Sequence, residues 1–89
     1  MAEMMSIGIL ETRGLVPLIL GADAAVKAAN VSIVDWRQIG SGYVSIVLEG
    51  EVAAVRSAIE AAVSAASSAG EVVSETVIPR PVAELKSPI

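Results

Sequence analysis

Cysteine and histidine are both absent from this chain of 89 residues. Their absence excludes disulfides and thiol chemistry, and it removes Ser-His-Asp and Cys-His arrangements and the usual zinc ligand sets. One close pair of carboxylates, Glu49 and Glu51, flanks Gly50 where a strand is predicted to give way to a helix. Acidic residues at such a junction cap the helix and favour its dipole. We therefore expect no enzymatic activity, no metal site and no cofactor.

Aromatic and basic residues are scarce. The chain has one Trp, one Tyr and no Phe, whereas an RNA-binding sheet needs aromatic side chains on which bases stack. The six Lys and Arg residues are scattered and the formal net charge is −4, which argues against binding to nucleic acid. The longest uncharged apolar run, residues 14–22, is shorter than the roughly 20 residues that cross a bilayer. A secretory signal begins with a basic cluster, and the N-terminus of this sequence has none, so such a signal is not supported. We expect neither a nucleic-acid nor a membrane partner.

Aliphatic residues are present in excess. Hydrophobic residues make up 54% of the chain, and its mean hydropathy is +0.70. A chain of this length makes one domain with a single core. A small domain so rich in Ala, Val, Ile and Leu has difficulty covering all of its apolar surface by itself. Composition therefore predicts that part of this surface faces other copies of the chain.

Hydrophobic periodicity predicts two helices and four strands. Alternation of apolar residues predicts the strands at residues 6–11, 31–36, 43–48 and 72–78. Thr12 to Gly14 is expected to supply a turn and a cap for a first helix that ends at Asn30. One side of that helix is predicted to lie on the sheet through Leu15, Leu18, Ile19, Ala22, Val26 and Ala29. The second helix is predicted over residues 51–69, with Gly70 as its stop.

The order strand, helix, strand, strand, helix, strand is the split βαβ arrangement of ferredoxin-like folds. Right-handed crossovers then place both helices on one face of a four-stranded antiparallel sheet, so the predicted class is α/β of the α+β kind. This fold serves metal transport, ligand sensing, RNA binding and catalysis. Function has to be argued from individual sites.

The sequence Gly40-Ser41-Gly42 lies between the second and third predicted strands. Glycine permits backbone angles that are closed to other residues, so this connection can be tight and can bring main-chain N–H groups close to another molecule. By itself the tripeptide predicts a hairpin connection. It is neither a Walker loop nor a dinucleotide fingerprint, because the spacing and the following helix do not fit either motif.

Four motifs in this order and spacing resemble the single-domain, hexamer-forming shell proteins of bacterial microcompartments, of the propanediol- and ethanolamine-utilisation type. The motifs are Glu11-Thr12-Arg13-Gly14-Leu15, Asp23-Ala24-Ala25-Val26-Lys27-Ala28-Ala29-Asn30-Val31, Gly40-Ser41-Gly42 and Val77-Ile78-Pro79-Arg80-Pro81. The resemblance runs from about Ser6 to Pro81. It implies one shell domain over residues 1–89, with a core at 6–81 and a C-terminal tail at 82–89.

The resemblance also implies a function. Such proteins form cyclic homohexamers that tile into a sheet, and each ring has a central pore for small polar metabolites. The residues that match the pore are Gln38, Gly40, Ser41 and Gly42, and those that match the edge between hexamers are Lys27, Asn30 and Arg80. The implied partners are the chain itself, other shell proteins and the enclosed enzymes, and the implied location is the microcompartment shell in the bacterial cytoplasm.

The chain departs from this family pattern at three positions. Many members have a lysine where this chain has Gln38 and a non-basic residue where it has Arg37, so the charge near the pore is expected to be weaker or shifted. Many also have a histidine where this chain has Val82.

A regulatory domain of ferredoxin-like fold is the alternative function. It would bind an anionic or amino-acid ligand through its glycine loop and would be a dimer or trimer. This alternative gives no joint purpose to residues 27–30 and 78–81. The mass in solution distinguishes it from a ring.

Overall fold

The computed structural model describes residues 5–79. Four strands and two helices follow one another in the predicted order. They are β1 (Met5–Arg13), α1 (Leu15–Ala28), β2 (Ser32–Gly40), β3 (Tyr43–Glu51), α2 (Val52–Ser67) and β4 (Glu71–Ile78). The predicted residue Arg80 and the predicted tail at 82–89 lie outside the described residues.

The four strands form one antiparallel sheet in the order β2-β3-β1-β4. The central strands β1 and β3 pair along their whole length, from Met5 opposite Glu51 to Arg13 opposite Tyr43. Each helix connects two strands that are not adjacent in the sheet, β1 to β2 and β3 to β4, as the split βαβ arrangement requires. The predicted ferredoxin-like α+β fold is confirmed.

Alternation along β1 and β3 gives the sheet two different faces. Leu10 pairs with Ile46, and both side chains are fully buried under the helices. Ile9 pairs with Val47 on the other face, where both are half-buried. We call this second face the open face, because no described element covers it. The predicted assignment of these residues to opposite faces is confirmed.

The core lies between the sheet and the two helices. It consists of aliphatic residues from both central strands and from the inner side of each helix: Leu10, Leu18, Ala22, Ala25, Ile46, Leu48, Val55, Ala58, Ile59, Ala62 and Ala66. The many alanines allow the helices to approach closely. One close contact is at Gly21 of α1, where an added Cβ would lie 2.9 Å from Leu10 Cδ2 and 3.2 Å from the carbonyl oxygen of Ala62.

The predicted inner side of α1 is wrong at three positions. Leu15, Ile19 and Val26 are not packed on the sheet, and they remain 54%, 48% and 44% exposed. The buried side of α1 instead consists of Pro17, Leu18, Gly21, Ala22 and Ala25. The sheet and α2 approach α1 so closely that small residues fill this contact, and the larger aliphatic residues are turned outward.

Element ends also differ from the predictions. Thr12 and Arg13 belong to β1 rather than to a turn, and no side chain caps α1 at Gly14. Glu51 occupies the N-cap position of α2, but its side chain makes no capping hydrogen bond. Helix α2 ends at Ser67 with Ser68 as its C-cap, two residues before the predicted end at residue 69. The N–H of Gly70, the predicted stop, donates to the carbonyl oxygen of Ala66 at 3.0 Å.

Candidate functional site

The hairpin between β2 and β3 carries the predicted Gly-Ser-Gly loop. Its two central residues, Ser41 and Gly42, have φ angles of 56° and 83°. Positive φ at both central positions defines the type I′ turn, whose twist matches that of antiparallel strands. Serine is uncommon in this left-handed region. The predicted hairpin is confirmed, and Ser41 lies exposed at its tip.

Glycine is needed in this loop for its backbone angles rather than for lack of space. Gly40 has a φ of 112°, and an added Cβ at Gly40 or Gly42 would meet nothing within 4 Å. The space in the Cβ direction of these two glycines is therefore open.

The loop is fixed to the start of α1. The N–H of Gly14 donates to the carbonyl oxygen of Gly42 at 2.7 Å, and Thr12 Oγ1 donates to the carbonyl oxygen of Gly14 at 2.9 Å. Beside the loop, the guanidinium of Arg13 lies 5.6 Å from the centre of the Tyr43 ring, within the range of a cation–π contact. These contacts hold an exposed loop in one position.

Gln38 and Arg37 lie on opposite faces of the sheet. Gln38 pairs with Val44 on the face that carries the helices, whereas Arg37 pairs with Ser45 on the open face. Arg37 Nε donates to Asp35 Oδ2 at 2.7 Å. This hydrogen bond, together with the charge of Arg37, holds the pKa of Asp35 below its usual range. The two polar residues before the loop thus face different sides.

The predicted edge residues lie at the other end of α1. Lys27 Nζ contacts Asp23 Oδ2 at 3.0 Å, and their side chains are 74% and 54% exposed. Asn30 is exposed just beyond the end of the helix. At about 1.5 Å per residue, Lys27 lies roughly 20 Å from Gly14, where the loop is bound. The Gly-Ser-Gly loop and the motif that contains Lys27 and Asn30 therefore lie at opposite ends of α1.

The chain leaves the described region at the same end of the molecule as Lys27. Ile78 pairs with Ile7 near the start of β1, whereas the loop lies beside the end of β1. Arg80 follows two residues after Ile78 and lies outside the described residues.

An apolar strip runs along the flank of the molecule beside β2. We define it as Leu15, Ile19 and Val26 of α1 together with Trp36 of β2, which is 50% exposed. At about 100° per residue, the three helix residues fall within roughly 40° of one another. Next to the strip lies a groove of about 350 Å³, lined by Leu15, Leu18, Trp36, Arg37, Gln38 and Val44.

Sequence alone does not locate this strip. Composition predicts surplus apolar surface without giving its position, and Trp36 is predicted only as part of a strand. One signal was available. Leu15, Ile19 and Val26 form a narrower stripe within the predicted inner side of α1. A helix that packs on one sheet does not have to bury the whole of such a side.

Residues 5–79 contain no group of three or more His, Cys, Asp or Glu residues that could hold a metal ion. In the same part of the chain, neither helix is long and apolar enough to cross a membrane. Glu49 and Glu51 contribute to a shallow groove of about 380 Å³ at the end away from the loop.

Comparisons with known proteins assign the family. The model of the BMC domain matches residues 6–81. This chain belongs to the BMC domain family. Among curated members, it is 48% identical over 83 residues to the bacterial microcompartment shell protein EutM of Salmonella typhimurium strain LT2, covering 93% of this chain and 86% of EutM. It is 44% identical over 81 residues to the bacterial microcompartment shell protein PduA of Citrobacter freundii, covering 91% and 87%. The resemblance stated from the motifs is confirmed.

A solved BMC-domain structure agrees with this fold. The crystal structure of a microcompartment protein from Desulfitobacterium hafniense superposes with a TM-score of 0.80 and 37% identity. The alignment covers 91% of this chain but 46% of that one, so this chain spans about half the length of the solved protein.

Proposed function

We propose that this chain is a structural shell protein of a bacterial microcompartment rather than an enzyme. Six copies form a closed ring, rings tile into a sheet, and Gly40, Ser41, Gly42 and Gln38 surround a central pore for small polar metabolites. Both curated relatives described above carry the name of a shell protein. Other shell proteins and enclosed enzymes are the further partners, in the bacterial cytoplasm.

The observation that carries this proposal is the apolar strip. The chain already buries a complete core, yet it leaves four large apolar side chains of the strip between 44% and 54% exposed on one flank. A contact between unlike flanks of identical copies is heterologous, so it must close into a ring or continue as a filament. The strip supplies one half of such a contact.

The geometry of the subunit supports the assignment of pore and edge. The loop lies at one end of α1, and Lys27 and Asn30 lie at the other. If six subunits point their loops to the axis, Ser41 is repeated around the centre, and Lys27 is carried to the outside. Arg80 belongs to the same outer edge in this proposal. The regulatory alternative leaves the strip and the far end without a role.

Mass and microscopy test the proposal together. Six copies of 9.1 kDa give about 55 kDa, which light scattering distinguishes from a dimer or trimer. Negative-stain images should show rings and, at higher concentration, ordered sheets. A single dimeric species at micromolar concentration, with nothing larger, would contradict the proposal and favour the regulatory domain.

A further inference from the structure

An ion pair lies on β2 shortly before the loop. Arg37 Nε and Asp35 Oδ2 are 2.7 Å apart, and the two side chains are 66% and 44% exposed. Alternate residues of a strand share a face, and the pairing of Asp35 with Val47 and of Arg37 with Ser45 places both on the open face. Arg37 is the basic residue of β2, and Gln38 beside it is neutral.

The direction of this contact matters because of where the loop is. Arg37 precedes Gly40 by three residues, about 10 Å along a strand, and Asp35 lies about 7 Å farther from the loop than Arg37. The hydrogen bond to Asp35 therefore draws the guanidinium away from the loop. An arginine side chain released from this bond is long enough to extend toward Gly40 instead.

We propose that Asp35 is a positioning residue that holds Arg37 back from the loop and offsets its charge, which limits the positive charge that Arg37 brings to the open-face mouth of the pore. This inference rests on the proposed function, because it needs the loop to surround a pore. In a ring, the pair is repeated six times around one axis. Release of Arg37 from the pair should therefore shift the selectivity of the pore toward anions.

The test measures the charge selectivity of assembled sheets. Sheets are spread across a solid-state aperture under a KCl gradient, and the reversal potential gives the ratio of chloride to potassium permeability. Asp35→Asn should raise this ratio at least about two-fold near 0.1 M salt, where the Debye length is about 10 Å. The rise should vanish near 1 M salt, where that length is about 3 Å.

A matched control separates position from total charge. Glu60→Gln changes the net charge by the same amount at an exposed site on α2, on the other side of the sheet. It should leave the permeability ratio unchanged. An equal rise in Glu60→Gln and Asp35→Asn would overturn the inference, and so would no rise in Asp35→Asn.

A second comparison tests whether Asp35 acts through Arg37. If Asp35 acts only as a negative charge, Asp35→Asn gives the same fold-change with Arg37 present or replaced by Gln. If Asp35 positions Arg37, the change should be at least halved in the Arg37→Gln background. Equal changes in the two backgrounds would refute the positioning role.

The ion pair can also be examined without a pore. In nitrogen-15 spectra, exchange of the Arg37 Nε–H with water should be slow in the parent and in Glu60→Gln, and at least about three-fold faster in Asp35→Asn. Unchanged exchange would refute the pair. Sheets that show no ion current at all, with the expected exchange rates, would instead refute the pore, and the selectivity role with it.

Discussion

Ile19 offers the sharpest test of the proposed ring contact. It lies in the middle of the apolar strip and is 48% exposed in the single subunit. Burying a whole isoleucine side chain contributes about 1.5–3 kcal/mol, so the exposed half is worth roughly 1 kcal/mol per contact. Ile19→Asp removes this gain and buries an unpaired carboxylate, which costs about 3 kcal/mol more.

These terms are multiplied by the symmetry of the ring. Six contacts at about 4 kcal/mol each destabilise a hexamer by roughly 24 kcal/mol. The concentration at which half the chains are assembled varies as the fifth root of the hexamer dissociation constant. The free energy that sets this concentration therefore changes by one fifth of the total, about 5 kcal/mol. Since 1.4 kcal/mol is a factor of ten, the midpoint should rise on the order of a thousand-fold.

Sedimentation velocity over a dilution series measures this midpoint. Val16→Asp is the matched control, because Val16 is 64% exposed in the first turn of α1 and lies outside the strip. It adds the same charge to the same helix and should leave the ring intact. Far-UV circular dichroism should show the same fold in both variants. If Ile19→Asp and Val16→Asp assemble at equal concentrations, the strip is not the ring contact.

Three further changes test the core, the pore and the edge. Gly21→Val should destabilise the subunit by about 2 kcal/mol, measured as free energy of unfolding in urea, because its side chain meets Leu10 and the backbone of Ala62; an unchanged midpoint would contradict the close helix contact. Ser41→Leu should leave ring and sheet intact but lower the flux of small polar solutes through assembled sheets by at least several-fold, whereas equal flux would count against its pore position. Lys27→Ala should abolish ordered sheets in negative stain while a ring of about 55 kDa persists, and normal sheets would remove Lys27 from the edge.

The fold could be predicted from sequence because local signals and packing agree along most of the chain. Alternation in β1 and β3 separates Leu10 and Ile46 from Ile9 and Val47, and the observed register keeps each pair on one face. The glycines around Ser41 predict the tight hairpin, and its positive φ angles explain why they are needed. In these segments, the periodicity and the turn chemistry point to the same structure.

The inner side of α1 could not be predicted in the same way. Leu15, Ile19 and Val26 satisfy a helical period, but periodicity cannot distinguish a side that packs within the subunit from one that packs on another chain. In the structure, Gly21 and Ala22 lie inside because the neighbouring elements come too close for a larger side chain. Hydrophobicity alone would place the bulkier residues there, and steric fit reverses that order.

The ion pair of Asp35 and Arg37 was equally inaccessible from sequence. The two residues are two positions apart on a strand, which places them on one face but does not decide whether their side chains meet. Comparison of Arg37 and Gln38 with the family pattern predicts a weaker or shifted charge near the pore. The pairing with Ser45 and Val44 separates the two residues onto opposite faces. As a result, the positive charge of Arg37 lies on the open face, and the neutral Gln38 lies on the face that carries the helices.

Helix α1 connects the loop, the apolar strip and Lys27 of the proposed edge. Its first residue follows Gly14, which is bonded to the loop, its outer stripe carries three residues of the strip, and its last turn carries Lys27. The distance from loop to edge is therefore set by helix length, at about 1.5 Å per residue. Insertion of one residue in α1 would lengthen it little but would rotate Lys27 by about 100° relative to the loop. The direction of the proposed edge contact thus depends on the number of residues in this helix.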